Sequence, residues 1–153
     1  MKKGTRGEAR TQVSAPPEKL YELVSDVTRM GEWSPETVKC EWIDGATGPA
    51  VGARFKGTNK RSFARWSTKP TVVAADAPHE FAFATKETRW TYRFEPASGG
   101  GTEMSESFEM IKDVPLFVVV GERLMGIKDR KADLERAMQK TLERIKRAAE
   151  GSA

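Results

Sequence analysis

The chain has 153 residues, enough for one ordinary domain with a substantial core and too few for two well-packed domains. Its hydrophobic content of 38% and charged content of 31% exclude a disordered chain. The 26 basic and 22 acidic residues leave a net charge of only +4, which is not the composition of a dedicated nucleic-acid binder. We therefore predict one domain over residues 1–153.

Cysteine usage and hydropathy bear on location. Cys40 is the only cysteine, so the chain has neither an internal disulfide nor a CxxC redox or zinc motif. The basic N-terminus lacks the apolar run of a signal peptide, and the longest apolar run, Leu116–Val120, is far too short to span a membrane. We predict a cytoplasmic protein without integral membrane association.

The first 35 residues predict one strand and two short helical elements. Alternation of apolar and polar residues predicts a strand at Glu8–Ser14. Two prolines at 16 and 17 suit a first helical turn, and apolar residues recur at helical spacing over Leu20–Val27. Thr28–Pro35 predicts a compact turn or a second short helix, ended by the proline.

A period of two then replaces the helical spacing. Turn residues divide the next segment into runs that predict six strands. The predicted strands are Val38–Ile43, Ala53–Asn59, Phe63–Ala75, Glu80–Thr85, Arg89–Pro96 and Thr102–Ile111. With the first strand they make seven, and their short connections predict an antiparallel meander.

The last third predicts one long amphipathic helix. Leu134, Met138, Leu142 and Ile145 form an apolar stripe with charged residues around the rest of the helix. We expect this helix to begin soon after Pro115, to run to about residue 149, and to be weakened or bent at its two glycines, 121 and 126. The predicted fold class is α+β, with a curved sheet wrapped around the helix.

Alternation also predicts which side chains face that helix. The predicted inward residues are Val38, Cys40, Trp42, Phe55, Gly57, Asn59, Trp66, Thr68, Phe81, Phe83, Trp90, Tyr92, Phe94, Met104, Glu106, Phe108 and Met110. Polar Asn59 and Glu106 among large aromatics are typical of a binding cavity, which is mostly apolar with a few orienting polar groups. Two alternatives stay open: Glu106 pairs with a basic residue such as Arg130 while the tryptophans only fill volume, or a bulge turns Glu106 outward.

Long stretches of the sequence, including MGEWSPE at 30–36 and GATGPAVGARF at 45–55, resemble a known family. The chain is similar over nearly its whole length to the polyketide cyclase/dehydrase branch of the START-like, Bet v 1-like (SRPBCC) superfamily, and in particular to actinobacterial members. The resemblance implies a helix-grip fold, in which a seven-stranded antiparallel sheet grips a long C-terminal helix around a deep apolar cavity. That superfamily includes lipid carriers, hormone receptors, aromatases and cyclases, so the fold does not decide the function.

The predicted site combines aromatic walls with a few polar groups. Glu106, if buried, has a raised pKa suited to proton transfer, and Asn59 can hydrogen-bond a ligand carbonyl, so these two are the candidate catalytic residues. The predicted ligand-binding residues are Trp33, Trp42, Phe55, Trp66, Phe83, Trp90, Tyr92, Met104 and Phe108. We expect Trp33 near the cavity mouth; alternatively, it pins the short helices to the end of the sheet. Access is expected near the glycine-interrupted segment 118–127.

Other site chemistries are not supported by the residues present. The only histidine, His79, lies in a turn beside a proline, which argues against Ser-His-Asp or Cys-His catalysis and against an imidazole metal site. Acidic residues lack calcium-loop spacing, and the glycines at 99–101 lack the context of a phosphate loop. We predict no metal and no cofactor.

Three functions remain. The first is binding of a hydrophobic small molecule, such as a lipid or polyketide-like compound; the second is a polyketide cyclase, aromatase or dehydratase. The third is a protein-interaction module with a filled interior and contacts at basic strand tips. The basic cluster in residues 56–69 is interpreted as a solvated hairpin tip, with an anion site as the alternative. We expect a monomer or homodimer that does not bind nucleic acid.

Overall fold

The structure, a computed structural model, describes residues 1–151. Eight strands, three α-helices and one 3-10 helix make up the fold. In chain order they are β1 (Arg6–Val13), α1 (Pro17–Ser25), the 3-10 helix (Val27–Glu32), β2 (Thr37–Ile43), β3 (Arg54–Arg61), β4 (Ala64–Thr68), β5 (Thr71–Asp76), β6 (Glu80–Ala84), β7 (Thr88–Pro96), β8 (Thr102–Met110), α2 (Leu116–Leu124) and α3 (Arg130–Gly151).

The strands form one antiparallel sheet in the order β1-β8-β7-β6-β5-β3-β2, with β4 also paired to β3. The sheet therefore has seven positions, because β4 and β5 follow one another along the same edge of β3. A curled seven-position sheet with a long C-terminal helix confirms the predicted α+β helix-grip fold. The two short helices predicted after the first strand are also present.

The predicted strand Phe63–Ala75 is wrong in one respect, because it is two strands. The break falls between Thr68 and Thr71, at the Lys69-Pro70 step. Pro70 has no N–H to give to the ladder, although its carbonyl still accepts a hydrogen bond of 3.2 Å from the Phe55 N–H. The proline thus interrupts the strand, while the segments on both of its sides stay paired with β3.

The prediction of one long C-terminal helix also needs correction. Helix α2 ends at Leu124, and α3 begins only at Arg130. Gly126 between them has a φ of 82°, a left-handed conformation that ends helices and that glycine adopts without strain. Asp129 then starts α3, since its carboxylate accepts a 3.0 Å hydrogen bond from the Ala132 N–H. The glycine predicted to bend the helix in fact separates two helices.

Strand β2 departs from the predicted alternation at its start. The register with β3 shifts between Thr37 and Lys39, and Val38 is exposed although it was predicted to face inward. A bulge adds one residue to the strand and so reverses the faces before it. From Cys40, which is buried, the predicted alternation holds.

The second half of α3 anchors the helix in the core. Leu142 and Ile145 are fully buried, and Ala149 is nearly so. On the other side of the core, the Tyr21 ring of α1 meets the edges of Phe81 and Phe94, with ring centroids 6.3 Å and 6.0 Å apart. These contacts hold the two helices against one end of the curled sheet.

Replacing Leu142 by alanine should lower the free energy of unfolding by about 2–5 kcal/mol, because a fully buried leucine leaves a cavity that the core cannot refill. Glu143→Ala on the same helix is the matched control, since Glu143 is exposed. Urea unfolding of both variants measures the difference. Equal stability of the two variants would mean that this half of α3 does not pack on the sheet.

Candidate functional site

A cavity of about 420 Å³ lies between the sheet and the first half of α3. Leu134, Ala137, Met138 and Thr141 form its α3 wall. The same helix therefore packs tightly against the core along its second half and borders an open space along its first. This volume falls within the usual range for small-molecule pockets, and the walls are mostly apolar.

A carboxyl and a phenol meet at the sheet wall of this cavity. Glu106 of β8 and Tyr92 of β7 are directly opposed in the antiparallel register, so their side chains emerge side by side on the inner face. The Tyr92 hydroxyl donates a 2.9 Å hydrogen bond to Glu106 Oε2. On the other side of Glu106, the β1 partner is Ala9, which is too small to cover the carboxyl. The uninterrupted β7–β8 register excludes the alternative in which Glu106 turns outward.

Glu106 Oε1 is buried and has no hydrogen-bond partner within the described residues. Burial raises the pKa of Glu106 to about 8, although the hydrogen bond from Tyr92 acts in the opposite direction. Burial, together with the neighbouring Glu106 carboxyl, raises the pKa of Tyr92 well above its ordinary value. At neutral pH the pair therefore holds a protonated carboxyl and a protonated phenol.

Seven of the predicted site residues border the cavity. They are Phe55, Asn59, Trp66, Phe83, Trp90, Tyr92 and Glu106. Asn59 is half-buried, and its side-chain oxygen accepts a long hydrogen bond of 3.5 Å from the Thr37 hydroxyl. Thr85 and Thr88 also border the cavity and were not predicted, whereas Thr68, another wall residue, was predicted to face inward. Strand alternation brings the seven residues together, while their roles stay predictions.

Trp33, Trp42, Met104 and Phe108 lie outside the cavity wall. Met104 and Phe108 are fully buried in the core. Trp42 packs edge-on against Phe55, with ring centroids 5.8 Å apart, and so supports the wall from behind. In the structure, these four residues do not border the cavity.

The surroundings of Trp33 fit the alternative in which it pins the short helices to the end of the sheet. It is buried at the end of the 3-10 helix, and its backbone N–H donates a 3.2 Å hydrogen bond to the Met30 carbonyl. The Arg29 guanidinium lies 5.0 Å from the centre of the indole ring. Arg144 of α3 donates a 3.3 Å hydrogen bond to the Trp33 carbonyl, which links this loop to the helix.

A network of ion pairs at the cavity wall was not predicted. Arg130 donates two hydrogen bonds to Glu36, at 2.7 Å and 3.0 Å, and another of 2.6 Å to Asp133. It also lies 3.4 Å from Glu122 of α2, and Arg61 contacts Asp133 at 2.7 Å. Burial alone would lower the pKa of Arg130, but the bonds and charges of Glu36 and Asp133 outweigh it and raise that pKa. Five charges thus tie β3, α2, α3 and the segment before β2 together.

This network answers the alternative in which Glu106 pairs with Arg130. Arg130 is occupied by Glu36 and Asp133, and within residues 1–151 Glu106 takes part in no ion pair. The sequence contains little indication of the ion-pair network, because Glu36, Arg61 and Arg130 are far apart in the chain and each residue type is typical of a solvated surface. Only the three-dimensional arrangement brings them together.

The cavity wall also contains the single thiol. Burial raises the pKa of Cys40 to about 11, so the thiol stays protonated and is a poor nucleophile at neutral pH. Among residues 1–151, no three His, Cys, Asp or Glu side chains are arranged to hold a metal ion. Across the same residues, no helix has the length and apolar character needed to cross a membrane.

The raised pKa of Glu106 predicts a pH-dependent stability. Because the folded pKa of about 8 exceeds the ordinary value of 4.5, the folded protein binds more protons than the unfolded chain between these values. Stability should therefore fall as pH rises through this window, by up to about 1.4 kcal/mol per pH unit from this group, and level off above pH 8. Glu106→Gln should remove this component.

Urea unfolding of the wild type and Glu106→Gln from about pH 5 to about pH 9 measures the difference. The variant should gain stability over the wild type as pH rises. Glu103→Gln, a half-buried residue on the same strand, serves as the control. Parallel stability curves for the wild type and Glu106→Gln would show that Glu106 titrates as an ordinary surface carboxyl.

Comparisons with known proteins identify a family that this chain resembles in sequence and in fold. Residues 5–150 match the family described as polyketide cyclase/dehydrase and lipid transport. A polyketide cyclase-like protein from Corynebacterium glutamicum is 32% identical, with a TM-score of 0.64, over 97% of this chain and 93% of that one. The comparison with curated proteins found no match.

More distant structures share the fold alone. The di-domain ARO/CYC protein StfQ of the steffimycin biosynthetic pathway is 13% identical, with a TM-score of 0.75, over 95% of this chain and 50% of that one. A protein from Thermus thermophilus is 19% identical, with a TM-score of 0.68, over 95% and 99% of the two chains. The resemblance predicted from the sequence is confirmed, and the chain belongs to the polyketide cyclase/dehydrase and lipid transport family.

Proposed function

We propose that this chain, as a single ligand-binding domain, binds a hydrophobic small molecule between the sheet and α3. The observation that carries the proposal is the unpartnered Glu106 Oε1 in the wall of a mostly apolar cavity. A buried polar atom without a hydrogen bond costs stability, and proteins retain such atoms mainly where they serve a purpose. A ligand that supplies the missing partner would recover that cost on binding.

The polar group of the ligand follows from the chemistry of the pair. With Tyr92 donating to one oxygen, the second oxygen of the protonated carboxyl is left without a hydrogen-bond partner in the cavity wall. A neutral hydroxyl or carbonyl can hydrogen-bond to it without creating a buried charge. The ligand is therefore expected to be mainly apolar, with at least one neutral oxygen function that reaches Glu106.

The aromatic walls bear on the shape of the ligand. Phe55, Phe83, Trp66 and Trp90 border the cavity. Phe55 and Phe83 already contact one another edge to face, with centroids 5.1 Å apart, so their orientations are held by packing. Such rigid aromatic surfaces favour a flat or polycyclic molecule, which agrees with the polyketide-processing and lipid-transport roles of the family.

A second candidate function is catalysis of cyclisation, aromatisation or dehydration on such a molecule. It is favoured by one observation: the pKa of Glu106 is raised to about 8, near the pH at which a general acid or base is most effective. Glu106 would transfer the proton, Tyr92 would orient the carboxyl, and Asn59 would hydrogen-bond a substrate carbonyl. The cavity gives less support to a protein-interaction module, which was expected to have a filled interior.

Filling the cavity should abolish binding. Ala137 lies on the α3 wall, so Ala137→Phe places a ring where the ligand would lie and should weaken binding of an apolar fluorescent probe by at least about tenfold. Lys140→Phe adds the same ring to the exposed side of the helix and should leave the affinity unchanged. Probe titration measures both, with urea unfolding to verify that each variant folds. Unchanged affinity in a folded Ala137→Phe would place the probe elsewhere.

Glu106→Gln separates binding from catalysis. Glutamine keeps hydrogen-bonding capacity but cannot transfer a proton, so a catalyst should lose most of its turnover of polyketide-like substrates while retaining probe affinity within about threefold. Native mass spectrometry after incubation detects bound substrate and product together. Conversion that survives the substitution would exclude Glu106 as the acid or base; absence of conversion in the wild type would favour the binding protein.

A further inference from the structure

Helix α2 carries an apolar face on its outside. Leu116, Phe117 and Leu124 are 77%, 78% and 79% exposed, and Val120 is about half exposed. Positions 116, 117, 120 and 124 share one side of a helix, whereas Glu122 on another side contacts Arg130. No residue of α2 is buried. An amphipathic helix ordinarily turns its apolar stripe towards the core, whereas α2 turns its apolar stripe towards solvent.

A second exposed aromatic residue lies at the tip of the β3–β4 hairpin. Phe63, in the two-residue turn between Arg61 and Ala64, is 78% exposed. The hairpin and α2 belong to the same end of the molecule, because Arg61 and Arg130 both contact Glu36 and Arg130 also contacts Glu122. Trp66 of β4 and Phe117 of α2 both border the cavity. The two apolar projections therefore flank the same cavity.

Basic residues accompany both projections. Residues 56–69 contain five basic and no acidic residues, and residues 112–131 contain five basic and three acidic ones. Lys60, Arg65, Arg123, Lys128 and Lys131 are exposed. Of the acids, Glu122 is engaged by Arg130, Asp129 caps α3, and the Asp113 carboxylate accepts the Lys3 N–H. The outward charge on this end is therefore mainly positive, although the whole chain is only weakly basic.

We propose that the outer face of α2 and the β3–β4 tip dock this end of the protein onto an anionic lipid bilayer. Exposed leucine and phenylalanine side chains beside lysine and arginine are the combination with which interfacial helices insert into the headgroup region of a membrane. The basic residues would meet the anionic headgroups, while Leu116, Leu124 and Phe63 would enter the boundary with the acyl chains. Nine residues are too few for α2 to span the bilayer, so the contact is peripheral.

Charge favours a bilayer over a second copy of the chain. In a two-fold dimer the same patch faces itself, so the basic residues of the two copies would approach one another. An anionic membrane supplies the opposite sign over an extended plane. Docking would also bring the cavity wall formed by Phe117 and Val118 next to the lipid, so that an apolar ligand could pass between bilayer and cavity without crossing water.

Vesicle flotation tests the proposal with the full-length protein. The wild type should float with vesicles of phosphatidylglycerol and phosphatidylcholine and much less with phosphatidylcholine alone, and raising NaCl from about 0.05 M to about 0.5 M should release it. Leu116→Ser combined with Leu124→Ser should lower the partition coefficient by at least about tenfold. Lys60→Ser with Arg65→Ser should lower it by about tenfold and weaken the salt dependence. None of these four residues borders the cavity.

Matched controls lie far from α2. Val51→Ser removes an exposed apolar residue from the loop at the other end of β3, and Arg147→Ser removes an exposed charge near the end of α3; both should float like the wild type. Absence of flotation in the wild type, or equal losses in the controls, would overturn the proposal. So would a dimer, detected by light scattering, that Leu116→Ser and Leu124→Ser dissociate. Probe binding in vesicle-free buffer tests the cavity separately, so failure of docking leaves the proposed function intact.

Discussion

The rest of the site depends on one carboxyl group, that of Glu106, which is buried at a mostly apolar cavity without a cationic partner. Glu106 receives one hydrogen bond, from Tyr92, and its other oxygen is buried in the cavity wall without a hydrogen-bond partner. Burying an ionised carboxylate in this way would be very costly, so the group retains its proton near neutral pH. The nature of the ligand follows from this constraint, because a protonated carboxyl in a mostly apolar cavity favours a neutral, oxygen-bearing, mostly apolar molecule.

The cavity lies beside the first half of α3, where one side of the helix borders open space. Leu142 and Ile145 pack tightly, whereas Leu134 and Met138 border open space. The ion pairs around Arg130 connect the beginning of α3 to α2 and to the hairpin formed by β3 and β4. These charged contacts stand where apolar packing would otherwise be needed to hold the elements over the cavity. The same arrangement leaves α2 with its apolar face towards the outside.

Much of this fold could be predicted from the sequence because period-two alternation is a direct consequence of strand geometry. It placed Glu106 and Tyr92 on the inner face, and the family resemblance supplied the helix-grip architecture. It misplaced Val38, because a bulge changes the face without a clear signal in the sequence. The break between α2 and α3 was underestimated, since one glycine can either bend a helix or end it.

The site was less accessible to sequence reasoning than the fold. Alternation separates inward from outward residues, but it does not separate the cavity surface from the packed core. Met104 and Phe108 were therefore predicted to bind the ligand, although they lie in the core. The Tyr92–Glu106 hydrogen bond depends on the strand register, and the network around Arg130 depends on contacts between residues about 70 to 95 positions apart. Neither local pattern nor spacing carries that information.

A crystal structure of the protein saturated with an apolar probe that carries one hydroxyl group tests the central claim most directly. Electron density for the probe between the sheet and the first half of α3, with its hydroxyl oxygen within hydrogen-bond distance of Glu106 Oε1, is the predicted result. An interior closed by side chains, with Glu106 paired to Arg130 or turned to solvent and the probe bound elsewhere, would contradict it.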